Sequence, residues 1–272
     1  MLELQIGWMR SVGVERALLF PVDLEWGLLA ARMRPDMFAV VARVWSDGRT
    51  AMDAGAPDVE QRIAETAARE GVVGVRIGGA PVGPHSPAST IATYERVVSA
   101  CLTHGLPLFM LGFGDFESPR HLAERFPELT IVVDHLAIPQ PPAFDRDSPP
   151  FRSFPQLLEL SAFANISIKV SGLPTLSDER FPYYDLVPRV RALVAHFGAD
   201  RLMWGSDISR VEGRIGFDMH LTDRPYLGKH SYAEALFYLL HNEELSWEDR
   251  KMILGGTVQK LVGWPGEALR SG

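Results

Sequence analysis

At 272 residues, 46% of them hydrophobic, the chain can bury one large core, and α/β barrels commonly occupy about 250 residues, so a single domain over residues 1–272 is expected. A net charge of −7 with scattered basic residues argues against a nucleic-acid partner, and one cysteine excludes an internal disulfide. No apolar run approaches the ~18 residues of a membrane span, and the start lacks a basic-then-apolar signal layout, so a cytoplasmic setting with no membrane partner is the expectation.

The first residues, "MLELQIGWMRSVG", read as a helix with Leu4, Ile6, Met9 and Val12 apolar. Seven strand-like runs follow: residues 17–22, 38–44, 72–78, 106–112, 130–136, 166–172 and 201–207. Amphipathic helices lie between them. In "APDVEQRIAETAARE" Asp58 is placed to cap the N-terminus and Gly71 to stop the helix. In "ESPRHLAERF" Ser118 reads as the cap, with Pro119 at the first helical position. Leu186, Val190, Leu193 and Phe197 form one stripe that ends at Gly198. Cys101 falls on the apolar side of a helix and reads as a core residue.

Near-continuous hydrophobic strands alternating with helices predict a parallel sheet. A nucleotide-binding fold would carry G-x-G-x-x-G or G-x-x-x-x-G-K-[ST] after a strand, and "GGAPVG" has the wrong spacing. Polar residues instead end four separate strands: Arg76, His135, Ser171 and Asp207. Such convergence is how a (β/α)8 TIM-type barrel builds a site, and that fold is predicted.

Each strand-end residue has two readings. Asp207 shares a strand side with Met203 and Gly205; it accepts a proton or binds a metal, or it merely caps a helix. His135, on the side of Ile131 and Val133, is a core histidine or a site residue, and Asp134 points the other way, to cap a turn or orient a neighbour. Arg76, with Val72 and Gly74, either pairs with an internal carboxylate such as Asp207 or clamps a substrate anion. Lys169 ranks lower, because a mid-strand lysine often snorkels outward. Candidate substrate contacts are Lys169, Ser171, His85, Tyr183, Arg210 and Arg214. His104, His121, His196, His230 and His241 fall in helical patterns and are expected to face solvent.

Taken together, "GVVGVRIGG", "LTIVVDHLAIP", "ISIKVSGL", "RLMWGSD" and "ILGGTVQKLVGWP" resemble the amidohydrolase-related family of TIM-barrel hydrolases. The likeness is greatest to the branch with 2-pyrone-4,6-dicarboxylate hydrolase and sugar-lactone hydrolases. It covers nearly the whole chain. The resemblance implies hydrolysis of a small, carboxylated lactone, or a related ester or cyclic amide, at the barrel mouth. Asp207 matches the family aspartate that serves as general base or metal ligand, and His135 matches the histidine of the "DH" strand. Asp207 would take the proton of an attacking water, while Arg76 and protonated His135 stabilise the carbonyl oxygen.

Two departures qualify this. The family's opening strand with its H-x-H pair is missing, which accounts for seven strands rather than eight, and the fifth family strand has no histidine. His135 and Asp207 are the two metal ligands left, so a zinc or manganese ion is not a firm expectation. The missing strand points to a truncated start, a barrel that lost it, or a partner chain that supplies it, which leaves room for a homo-oligomer. The alternatives to a lactone hydrolase are a metal-dependent decarboxylase and a non-catalytic ligand-binding barrel.

Overall fold

The computed structural model describes residues 2–45, 52–78, 88–141, 145–212 and 228–264. Its elements in chain order begin with α1 (Leu2–Ser11), β1 (Ala17–Leu19), α2 (Leu24–Met33), β2 (Phe38–Trp45), α3 (Val59–Ala67) and β3 (Val72–Gly78). The middle of the chain gives α4 (Ala88–Thr103), β4 (Leu108–Leu111), α5 (Glu117–Arg125), β5 (Ile131–Val133), α6 (Phe154–Glu159) and β6 (Ile166–Ser171). The last third gives α7 (Val187–Phe197), β7 (Leu202–Gly205), α8 (Tyr232–Leu240), α9 (Trp247–Lys251) and α10 (Thr257–Val262).

The seven strands form one sheet in sequential order, every neighbouring pair parallel. Among the described residues β1 and β7 are the two edges, so the sheet has the barrel order without its closing strand. It is nonetheless curled. Leu18 of β1, Val41 of β2, Phe109 of β4, Val132 of β5 and Met203 of β7 share one inner cluster, which a flat sheet could not bring together. Val258, Leu261 and Val262 of α10, with buried Trp264, pack into the same cluster. The opposite faces, such as Val75, Leu108, Ile131, Ile168 and Leu202, lie under the surrounding helices. Cys101 is buried there, as expected, and burial pushes its thiol up to about 12.

The two sheet edges are held by contacts outside the sheet. The Tyr232 ring stacks on Trp8 of α1 with centroids 6.2 Å apart and meets Trp204 of β7 edge-on at 6.4 Å. The Trp204 indole also donates to the Ala235 carbonyl at 2.7 Å. The N-terminal helix is thereby fastened to the last strand and its following helix.

Two predicted caps need correction. Asp58 stands at the N-terminus of α3 but makes no capping bond, because its carboxylate is taken by Arg62 one turn later at 2.9 Å. At α5 the capping carboxylate is Asp115, which accepts from the Ser118 amide at 2.9 Å and from its hydroxyl, so Ser118 is the capped residue. Gly198 does end α7, at φ +76, and the predicted stripe is buried, with Leu186 just before the helix and Val190, Leu193 and Phe197 within it. In α1, Ile6 and Met9 are buried while Leu4 faces solvent.

Replacing Tyr232 by alanine is expected to cost about 3 kcal/mol of stability, because it empties the space between Trp8 and Trp204. Urea unfolding should show it as a lowered midpoint, with exposed Tyr184→Ala as a control that leaves the midpoint unchanged.

Candidate active site

Along each strand the inward side chain changes from apolar to polar toward the carboxyl end. Val41 gives way to Arg43 on β2, and Met203 and Gly205 lead to Asp207 after β7. On β3 an extra residue shifts the register, so that Val40 pairs with Val72 but Val41 pairs with Gly74. Val73 and Arg76 therefore face inward, while Val72 packs with the outer helices. On β5, Val132 faces inward and Asp134 follows on the same side, with Ile131 and Val133 outward. This corrects the expectation that His135 shares its side with Ile131 and that Asp134 points away.

Asp134 is fully buried, and it is the centre of the cluster. Arg76 Nε donates to its Oδ2 at 2.5 Å, and Lys169 Nζ stands 2.7 Å from Oδ1. Burial alone would raise this carboxyl, but Arg76, then Lys169, bring it down to about 2. Lys169 thus turns inward, against the expectation of an outward ammonium, because Asp134 compensates its charge. Burial lowers the Lys169 pKa, opposed by Asp134. The partner of Arg76 is Asp134, where Asp207 was the suggested one. Phe20 lies beneath both cations, its ring centre 5.1 Å from the Arg76 guanidinium and 4.2 Å from Lys169 Nζ. Arg43 pairs in register with Arg76; burial, then the Arg76 charge, lowers it to about 10.

His135 reaches the cluster because the backbone leaves the strand. His135, Leu136 and Ala137 have φ of 52°, 60° and 54°, three successive left-handed residues without a glycine. Gln140 supports this strained run: its buried Nε2 donates to the His135 carbonyl at 3.0 Å and to the Ser171 carbonyl at 3.4 Å. Gly172, at φ +75, leaves the space this needs, since a Cβ there would stand 2.1 Å from Gln140 Oε1. Phe113 stacks on the imidazole at 5.6 Å.

The imidazole contacts define its tautomer. Arg76 Nη2 lies 3.3 Å from Nε2, and a guanidinium can only donate, so Nε2 accepts and Nδ1 carries the hydrogen. That hydrogen faces Ser171 Oγ at 2.8 Å and Asp207 Oδ2 at 3.3 Å. Burial pushes His135 down to about 3 against the pull of Asp207. It is neutral at pH 7, and the protonated role expected for it is corrected. Asp207, also left-handed at φ 44°, accepts from Arg210 Nε through Oδ2 and keeps 14% of its side chain exposed.

Arg76, His135, Lys169, Ser171, Asp207 and Arg210 therefore converge on one rim. Tyr183 is taken up elsewhere, edge-on to Phe181 and Tyr238 in the outer core. His85 and Arg214 lie outside the described residues. Arg43 and Gln140 were missed, although inward parity on β2 could have found Arg43. His230 corrects another expectation. It is 1% exposed rather than solvent-facing, bridged through its backbone to Val211 and Glu212, with neither ring nitrogen hydrogen-bonded among the described residues and its pKa lowered by burial to about 4.

The described donors do not fit a divalent metal. Among the described residues no group of three His, Cys, Asp and Glu side chains could hold one. Both Asp134 oxygens face cations, His135 Nε2 is turned to Arg76, and Asp207 is bound by Arg210.

A family model described as amidohydrolase matches residues 31–264. L-fucono-1,5-lactonase of Burkholderia ambifaria is 39% identical over 133 residues, 45% of this chain and 42% of that protein. 4-Sulfomuconolactone hydrolase of Hydrogenophaga intermedia is 31% identical over 155 residues, 56% of this chain and 48% of that protein. The chain thus spans about half the length of these named relatives. A zinc-bound amidohydrolase from Burkholderia multivorans superposes with a TM-score of 0.68 at 21% identity, covering 97% of this chain and 88% of that one. A protein named as a 2-pyrone-4,6-dicarboxylic acid hydrolase from Pseudomonas putida gives 0.68 at 24% identity, covering 98% and 88%. At these identities the likeness concerns the fold. No helix among the described residues is long and apolar enough to cross a membrane.

Because Asp134 compensates two buried cations, Asp134→Asn is expected to destabilise the protein by about 3–5 kcal/mol. Asp207→Asn should cost less, because it takes the charge partner from one buried cation, Arg210, rather than two and lies at the partly open rim. Paired chemical denaturation curves check the contrast.

Proposed function

The chain belongs to the amidohydrolase family, and from that we propose that it opens a small, carboxylated lactone by general-base hydrolysis at the carboxyl rim of the sheet. One observation carries the assignment of the base. Of the two aspartates in the cluster, Asp134 is sealed between Arg76 and Lys169, whereas Asp207 keeps an exposed share of its carboxylate. The two lactone-acting relatives support the substrate class.

In this reading Asp207 takes a proton from water as the oxygen adds to the lactone carbonyl. The ring carbon–oxygen bond then breaks, and the departing oxygen takes the proton back from Asp207. At neutral pH the new carboxylic acid ionises, so each turnover releases one proton to solvent. Neutral His135 holds Asp207 and Ser171 in place through its Nδ1 hydrogen. The buried Arg210 Nη1, which has no hydrogen-bond partner among the described residues, supplies a donor for the carbonyl oxygen as it becomes an anion or for the substrate carboxylate. A well-placed donor of this kind is worth roughly 3–4 kcal/mol. No step in this reading passes through a metal, and among the described residues no donor set for a metal-dependent decarboxylase is brought together.

The test is pH-stat titration with a sugar 1,5-lactone and an anionic muconolactone as substrates. Proton release is expected with at least one of them, and Asp207→Asn should lower kcat by about a hundredfold or more in protein that circular dichroism shows to be folded. Tight binding without turnover would instead mark a ligand-binding barrel. An Asp207→Asn protein with undiminished rate would remove the base assignment.

A further inference from the structure

Helix α2 is apolar on both sides. Gly27, Leu28, Ala30 and Ala31 are buried against the sheet. On the opposite side Val22 is 64% exposed, Trp26 37%, Leu29 47% and Met33 59%. A surface helix normally turns a polar face to water. Eight large hydrophobic side chains are exposed among the described residues, and four of them lie on this one stripe, so it is not random scatter. Within the helix the steps from Trp26 to Leu29 and Met33 are three and four residues, the spacing of a helix–helix seam, and Val22 extends the apolar surface just before the capping residue Asp23.

We propose that this stripe is the contact surface of a homodimer, in which the α2 helices of two copies pack antiparallel about a two-fold axis. The charges around the stripe select a second copy as the occupant. Asp23 and Glu25 stand at its N-terminal end, Arg32 and Arg34 at its C-terminal end. Glu25 is paired with Arg69 and Arg34 with Asp36, both within the chain. Arg32 makes no close ion pair among the described residues, its charge acting on Glu25 only at a distance, and Asp23 caps the helix through Oδ1. With the axis crossing between residues 27 and 28, Trp26 packs on Leu29 of the second copy and Val22 on Met33. Arg32 then lies level with Asp23 of the second copy, twice over by symmetry. A two-fold interface requires a self-complementary patch, and an apolar stripe with opposite charges at its ends is one. Parallel packing would set Arg32 against Arg32.

Sedimentation equilibrium of the full chain, from low to high micromolar concentration, tests this without reference to catalysis. The expected result is a mass that rises from monomer to dimer. Leu29→Glu should hold the protein monomeric with an unchanged circular dichroism spectrum, since the side chain is exposed. Arg32→Glu should weaken the dimer roughly tenfold at low salt, and Arg32→Lys should restore it. A wild-type chain that stays monomeric throughout, a dimer that survives Leu29→Glu, or one indifferent to Arg32→Glu would overturn the proposal.

Discussion

A carboxylate with no exposure at all must be compensated, and Asp134 is compensated by two cations from different strands. Arg76 reaches it from β3 and Lys169 from β6, so one charge joins three strands near their carboxyl ends. The same arrangement aims the remaining groups. Arg76, fixed by Asp134, presents Nη2 to His135 and decides which imidazole nitrogen bears the hydrogen. That hydrogen faces Ser171 and Asp207, and Asp207 is the carboxylate left with access to the rim.

The backbone contributes a second constraint. Three left-handed residues after β5 bring Asp134 and His135 into the same cluster, although they are neighbours in sequence and a continuing strand would send them to opposite faces. Gln140 and side-chain-less Gly172 make this turn tolerable by satisfying two carbonyls and leaving room for the amide. Strain of this kind is kept where the surroundings over-determine it, and here the surroundings are the site itself.

Much of this was legible in the sequence. Hydrophobic runs separated by stripes gave seven strands in order, and polar strand ends marked the rim, because both follow from local periodicity. What failed depended on distant partners or broken periodicity. Lys169 looked like an outward lysine until Asp134, thirty-five positions earlier in the chain, supplied its counter-charge. His135 follows a strand that ends at Val133, two residues before it, so strand alternation does not place it. Asp58 and Ser118 satisfied the residue rule for caps, yet Arg62 and Asp115 decided their bonding. His230 reads as part of a helical pattern, but it stands before α8 begins, where its backbone bridges to Val211.

The central claim is that Asp134 is held ionised by buried cations, and carboxyl carbon NMR of aspartate-labelled protein tests it directly. Desolvation opposes the charge and Arg76 with Lys169 overcome it, which places the carboxyl at about 2. Its depressed value means that its contribution to stability is present above about pH 4 and fades as pH falls toward 2. As the pH is lowered through ~3.9, the value of an aspartate in an unstructured peptide, the Asp134 resonance should stay at its ionised position. An Asp134 midpoint at or above that peptide value would contradict the account.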